Sequence, residues 1–156
     1  MSQLLDAIGG VPNASEPIPG IVTGGQPTLE HLRALKGAGC AVVIDIREPM
    51  EPQPFRTPEA VVGAGLEYRA IPIGHGAVPD ATFGSLLGAV RELAGRRLTF
   101  IYCSSGNRVG AGLIPYFILE QGLDEEAAVT AAMQVGLRSA ELLEQALEYA
   151  RAREGI

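Results

Sequence analysis

The segment Leu98–Arg108, LTFIYCSSGNR, constrains this chain more than any other. A run of strand character passes directly into a short polar loop that starts at Cys103, contains Gly106 and ends at Arg108. A helical pattern from about Asn107 to Gln121 follows without a break. A buried strand, a tight polar turn and a helix make the βα unit of an open α/β sheet. Such sheets place ligands at the carboxyl ends of their strands.

The rest of the chain repeats this alternation. Ile21-Val22 reads as a short first strand ending at Gly24-Gly25. Pro27 and Thr28 open a helix with Leu29, Leu32 and Leu35 on one stripe, stopped by Gly37 and Gly39. Cys40–Ile46 (CAVVIDI) is a continuous apolar run, the pattern of a strand buried on both faces. A Pro-rich loop over residues 48–57 leads to a short helix from Pro58 to Val62, and Leu66–Ile73 is the next strand. Phe83, Leu86, Leu87, Val90 and Leu93 fall at helical spacing, which predicts an amphipathic helix over Ala81–Ala94. The helix after the Cys103 loop ends at Gly122 and is expected to kink at Pro115, whose ring clashes with the carbonyl of Ala111. Two further helices, about Glu125–Gln134 and Ala140–Arg153, have no strand between them and are expected to form a small bundle on one side. The first eighteen residues read as an irregular segment with room for one short helical turn. The expected fold is α/β, a single domain over residues 1–156. Its central, mainly parallel sheet has about four to five strands and helices on both faces.

Composition narrows the function classes. A net charge of -6 argues against a nucleic-acid or membrane-surface partner, which ordinarily meets a basic face, yet a local cluster of amides and one Arg can hold a small anion. No apolar run is long enough to cross a bilayer, and the N-terminus lacks the basic and apolar regions of a signal peptide. A cytoplasmic location is expected. The two cysteines, Cys40 and Cys103, are then not expected to form a disulfide. His31 and His75 lie far apart with no ligand-spaced neighbours, so neither a metal site nor a cofactor is expected.

The loop itself has the parts of an anion-binding nucleophile. Gly106 permits a backbone turn that points successive N–H groups inward as a nest. The following helix adds its positive end and unpaired amides. Arg108 can fork onto two oxygens of one anion, and the backbones of Ser104, Ser105, Gly106 and Asn107 form the cradle. Every one of these features favours negative charge where Cys103 points, so Cys103 is expected to be a reactive thiolate. The bland alternative, a small buried hydrophobe, suits Cys40 between Gly39 and Ala41.

These residues resemble the Cys-dependent phosphatase superfamily, and most closely the bacterial phosphatase-like domain of beta-lactamase-hydrolase-like proteins, a relative of the atypical dual-specificity phosphatases. The pieces that carry the likeness are Gly24–Thr28 (GGQPT), Val43–Arg47 (VIDIR), Gly65–Tyr68 leading to Ile71–Ile73, and Tyr102–Arg108. The resemblance implies hydrolysis of a small or peptidyl phosphomonoester. Cys103 would be the nucleophile, Arg108 and the Ser104–Asn107 backbone would hold phosphate, and an acid would protonate the leaving oxygen. The chain departs from the family in three places. Four residues separate Cys103 from Arg108 where five are usual, Tyr102 and Val109 replace the flanking His and hydroxyl residue, and the loop after Ile73 holds Gly74-His75-Gly76 with no Asp. The short loop resembles that of rhodanese sulfurtransferases, which makes sulfur transfer through a Cys103 persulfide the alternative. A non-catalytic sensor of phosphorylated ligands is a third.

Individual residues read in more than one way. His75 is either the general acid or an exposed loop histidine. Asp80, after Pro79, is either the acid or the N-cap of the next helix, and the cap is favoured. Asp45 and Arg47 are expected to pair or to brace the Cys103 loop. Glu48 and Glu51 are expected to be solvated loop charges.

Overall fold

The structure, a computed structural model, describes residues 2–154. In chain order its strands are β1 (Ser15–Ile18), β2 (Ile21–Gly24), β3 (Val42–Asp45), β4 (Glu67–Ala70) and β5 (Thr99–Tyr102). Its helices are α1 (Gln3–Ala7), α2 (Leu29–Gly37), α3 (Glu59–Gly63), α4 (Asp80–Leu93), α5 (Asn107–Leu119), α6 (Glu125–Val135) and α7 (Ala140–Arg153). The sheet runs β1-β2-β5-β3-β4, with β1 antiparallel and the other neighbours parallel.

The two-residue period of the strands divides the interior into two cores. Val42, Ile44 and Ile101 face one layer, where they meet Phe83 and Leu86 of α4, Leu113 and Phe117 of α5, and Leu142 and Ala146 of α7. Val43, Phe100 and Tyr102 face the other, against Leu4 of α1, Leu32 and Leu35 of α2 and Val61 of α3. The expected α/β domain with helices on both faces is what forms. α6 and α7 pack on α5 as the expected side bundle. α5 continues through Pro115. No described helix is long and apolar enough to cross a membrane.

The N-terminal segment matches expectation in part. The short helical turn allowed for is α1, which Ser2 caps by accepting from the Leu5 N–H, and Leu4, Ile8 and Val11 are buried in the second core. β1 then pairs with β2. Pro17 obscured this strand in the sequence, since proline removes a ladder donor. β1 tolerates it because it is an edge strand.

β5 lies at the centre of the sheet, so the loop beginning at Cys103 leaves from the middle of the carboxyl edge. The end of β2, Gly24-Gly25, flanks it on one side, and the end of β3, Asp45–Arg47, on the other.

Candidate active site

Gly106 occupies the left-handed region, with φ +96°, and caps the amino end of α5. A side chain there would be strained, and its Cβ would also lie 2.8 Å from the Val135 carbonyl oxygen. This turn directs the Gly106 N–H onto Cys103 Sγ at 3.1 Å. Cys103 has no exposed surface, while Ser104 and Ser105 are exposed above it. The Gly106 N–H, the amino end of α5 and the Arg108 guanidinium are gathered around the sulfur. Cys40 is the contrasting case. It is buried, and burial pushes its thiol up to about 11, with lesser opposing effects from nearby backbone groups.

The cradle is braced from several directions. Asn13 Nδ2 donates to the Ser105 carbonyl at 2.7 Å, and the Gln26 N–H donates to the Ser104 carbonyl at 3.1 Å. Asn107 Oδ1 accepts from the Arg138 and Ser139 N–H groups, tying the loop to the α6–α7 connection. Gly25 is needed for this approach, because a Cβ there would lie 2.5 Å from the Ser104 carbonyl oxygen.

Arg108 is 1% exposed and every terminal N–H on it has a partner. Nη1 donates to Glu51 Oε2 at 2.6 Å and to the Ile73 carbonyl at 3.0 Å. Nη2 donates to Glu51 Oε1 at 2.7 Å and to Ser104 Oγ at 2.9 Å. The Ser104 hydroxyl in turn donates to Glu51 Oε1 at 2.9 Å, and the Glu48 N–H donates to Glu51 Oε2 at 2.7 Å. Hydrogen bonding from Arg108, opposed by partial burial, holds the Glu51 carboxyl down at about 2. The same pairing, led by the Glu51 hydrogen bonds, raises Arg108.

Glu51 is therefore not the solvated charge expected from its Pro-rich surroundings. Sequence reasoning missed it because the loop over 48–57 lacks periodicity, and only the fold brings it across the sheet edge. Arg47 fixes this loop. Its Nη2 pairs with Asp45 Oδ2 at 3.2 Å, its Nη1 holds the Glu51 carbonyl at 3.0 Å, and Tyr68 donates to Asp45 Oδ2 at 2.8 Å. Asp45 and Arg47 do pair, as expected, but the loop they brace is that of Glu51. Tyr102 donates its hydroxyl to Gln53 Oε1 of the same segment at 3.2 Å.

The two expected acids lie in the loop after β4 and at the start of α4. His75 is exposed in the loop after β4, a loop that Gln145 of α7 holds through the Val78 N–H and the Gly76 carbonyl. Asp80 is not the N-cap of α4. The cap position falls on Pro79, and Asp80 is the first helical residue with no capping bond. Pro79 is already extended, so the helix begins one residue earlier than expected and Asp80 moves outward. Its side chain, 74% exposed, faces Arg153 of α7 at 3.6 Å. Neither side chain hydrogen-bonds to the Cys103 loop. Among the described residues no group of three or more His, Cys, Asp or Glu side chains is arranged to hold a metal.

No known family profile matches the chain, and no curated protein matches it in sequence. Solved structures do match in fold. A DUF442 protein of Shewanella putrefaciens CN-32, described as a candidate phosphatase, superposes with a TM-score of 0.77 at 18% identity over 95% of this chain and 97% of that one. TpbA of P. aeruginosa gives 0.67 at 19% identity, over 91% and 85%. The core catalytic domain of the S. cerevisiae PP-IP phosphatase SIW14 gives 0.71 at 15% identity, over 91% of each. The fold of this chain is that of the Cys-dependent phosphatases.

Proposed function

We propose that the protein is a Cys-dependent phosphatase that hydrolyses a small or peptidyl phosphomonoester through a cysteinyl-phosphate intermediate. The observation that carries this reading is the Gly106 N–H on Cys103 Sγ, with Arg108 one helical step beyond it at the amino end of α5. Cys103 Sγ attacks phosphorus, the S–P bond forms as the P–O bond to the leaving oxygen breaks, and that oxygen takes a proton. The backbone N–H groups of Ser104 to Arg108 and the Arg108 guanidinium neutralise the charge on the equatorial oxygens. Water then attacks phosphorus, breaking the S–P bond and returning the thiolate. His75 is assigned the leaving-group proton, with Asp80 as the alternative donor. A small anionic substrate agrees with the ligands of two fold relatives, phosphotyrosine in a TpbA variant and citrate in SIW14. The test is hydrolysis of an aryl phosphate that disappears in Cys103→Ser.

One observation favours a second reading. Only four residues separate Cys103 from Arg108, and neither His75 nor Asp80 hydrogen-bonds to the loop. Sulfur transfer through a Cys103 persulfide needs no such acid.

A further inference from the structure

Arg108 is the one guanidinium in the proposed anion site, yet its terminal N–H groups are already taken. A guanidinium can fork onto two oxygens along its end-on edge, Nη1 with Nη2, or along its side edge, Nη2 with Nε. Both edges include Nη2, whose two donors go to Glu51 Oε1 and Ser104 Oγ. Ser104 is itself held by Glu51, so Glu51, Ser104 and Arg108 form a closed ring. The nucleophile is closed off as well, since Cys103 has no exposed surface.

We infer that Glu51 sets the affinity of this site as an internal competitor: an incoming oxyanion takes Arg108 from the Glu51 carboxylate. This rests on the reading of the Cys103 loop as an anion site and adds a residue to it. The exchange needs only a side-chain rotation, because the Glu51 carbonyl stays on Arg47 Nη1. A carboxylate and a phosphate compete for the same fork because both present paired oxygens to it. Two charge-assisted hydrogen bonds must break before the anion can use Nη1 and Nη2 together.

The experiment measures binding of inorganic phosphate at neutral pH to the wild-type protein, Arg108→Ala, Glu51→Gln and Glu51→Ala, with the melting temperature of each anion-free protein as the check on folding. Binding to the wild type that is lost in Arg108→Ala supports the anion site. In Glu51→Gln, and likewise in Glu51→Ala, the dissociation constant is expected to fall about tenfold or more, the scale of a lost charged hydrogen-bond competitor. Phosphate binding to Glu51→Gln but not to the wild type supports the exchange equally. Unchanged or weaker binding in both Glu51 variants overturns it and makes Glu51 a support for Arg108. If phosphate binds to none of the proteins, the anion site itself fails. Should both variants misfold, the wild type still decides. Phosphate is expected to shift the side-chain carboxyl carbon resonance of Glu51, and a resonance indifferent to bound phosphate overturns the exchange.

Discussion

Glu51 lies across Arg108 with both carboxylate oxygens engaged, at 2.6 and 2.7 Å, although fifty-seven positions separate the two in the chain. The pair joins the loop after β3 to the amino end of α5. It therefore couples the sheet edge to the loop that holds Cys103.

This pairing makes part of the stability dependent on acid. Glu51 is held at about 2, below its ordinary 4.5, so the pair stabilises the fold fully above the ordinary value and loses that contribution as the pH falls toward 2. The melting temperature of the wild type is expected to exceed that of Glu51→Gln at neutral pH, and the gap is expected to narrow steadily in acid. A gap that stays constant down to about pH 3 would contradict the pairing.

The two cysteines are expected to separate by reactivity. At about pH 6 iodoacetamide should label Cys103 well before Cys40, because the Gly106 N–H, the amino end of α5 and the Arg108 guanidinium converge on Cys103. Cys40, pushed up to about 11 by burial, remains a neutral thiol there. Mass spectrometry of the labelled peptides reads the order, and equal labelling would count against an activated Cys103.

Gly25→Ala tests the brace behind the cradle. The new Cβ would lie 2.5 Å from the Ser104 carbonyl oxygen and 3.0 Å from Ser105 Cα, both backbone atoms. Overpacking of this kind costs about 1–3 kcal/mol. The variant should lose that much in denaturant unfolding and bind phosphate more weakly. A variant as stable as the wild type, with unaltered binding, would show that the cradle does not depend on this contact.

Much of this architecture was legible before the fold was known, and the residues show why. Val42–Asp45 and Thr99–Tyr102 are short apolar runs bounded by turns, and both became buried strands. Gly106 was readable because a loop between strand and helix needs one residue with positive φ. β1 was not, since Ser15–Ile18 has a single fully buried residue and a proline, and its strand character comes from pairing with β2. Glu51 was hidden for a related reason. A carboxylate in a proline-rich loop looks solvated until a distant arginine is folded against it. Asp80 shows a limit of the opposite kind. It matched a cap by type and position, yet Pro79 takes the extended conformation that a cap requires.

The proton donor is tested by leaving-group dependence. If His75 protonates the departing oxygen, His75→Ala should lose about 10²–10⁴-fold on an alkyl phosphate and little on nitrophenyl phosphate, whose anion leaves unaided. Asp80→Asn should lose little on either, because its ionic partner is Arg153 and not the Cys103 loop. A selective loss in Asp80→Asn alone would exchange the two assignments.

The central claim is that Cys103 carries the phosphoryl group, and the most direct measurement traps it. The protein is mixed with an aryl phosphate, quenched in acid within the first turnovers, and digested for mass spectrometry. The account predicts a mass gain of one phosphoryl group on the peptide containing Cys103, absent in Cys103→Ser together with all hydrolysis. Hydrolysis undiminished in Cys103→Ser would contradict it. So would a wild-type protein inert toward the ester whose Cys103 gains one sulfur from thiosulfate.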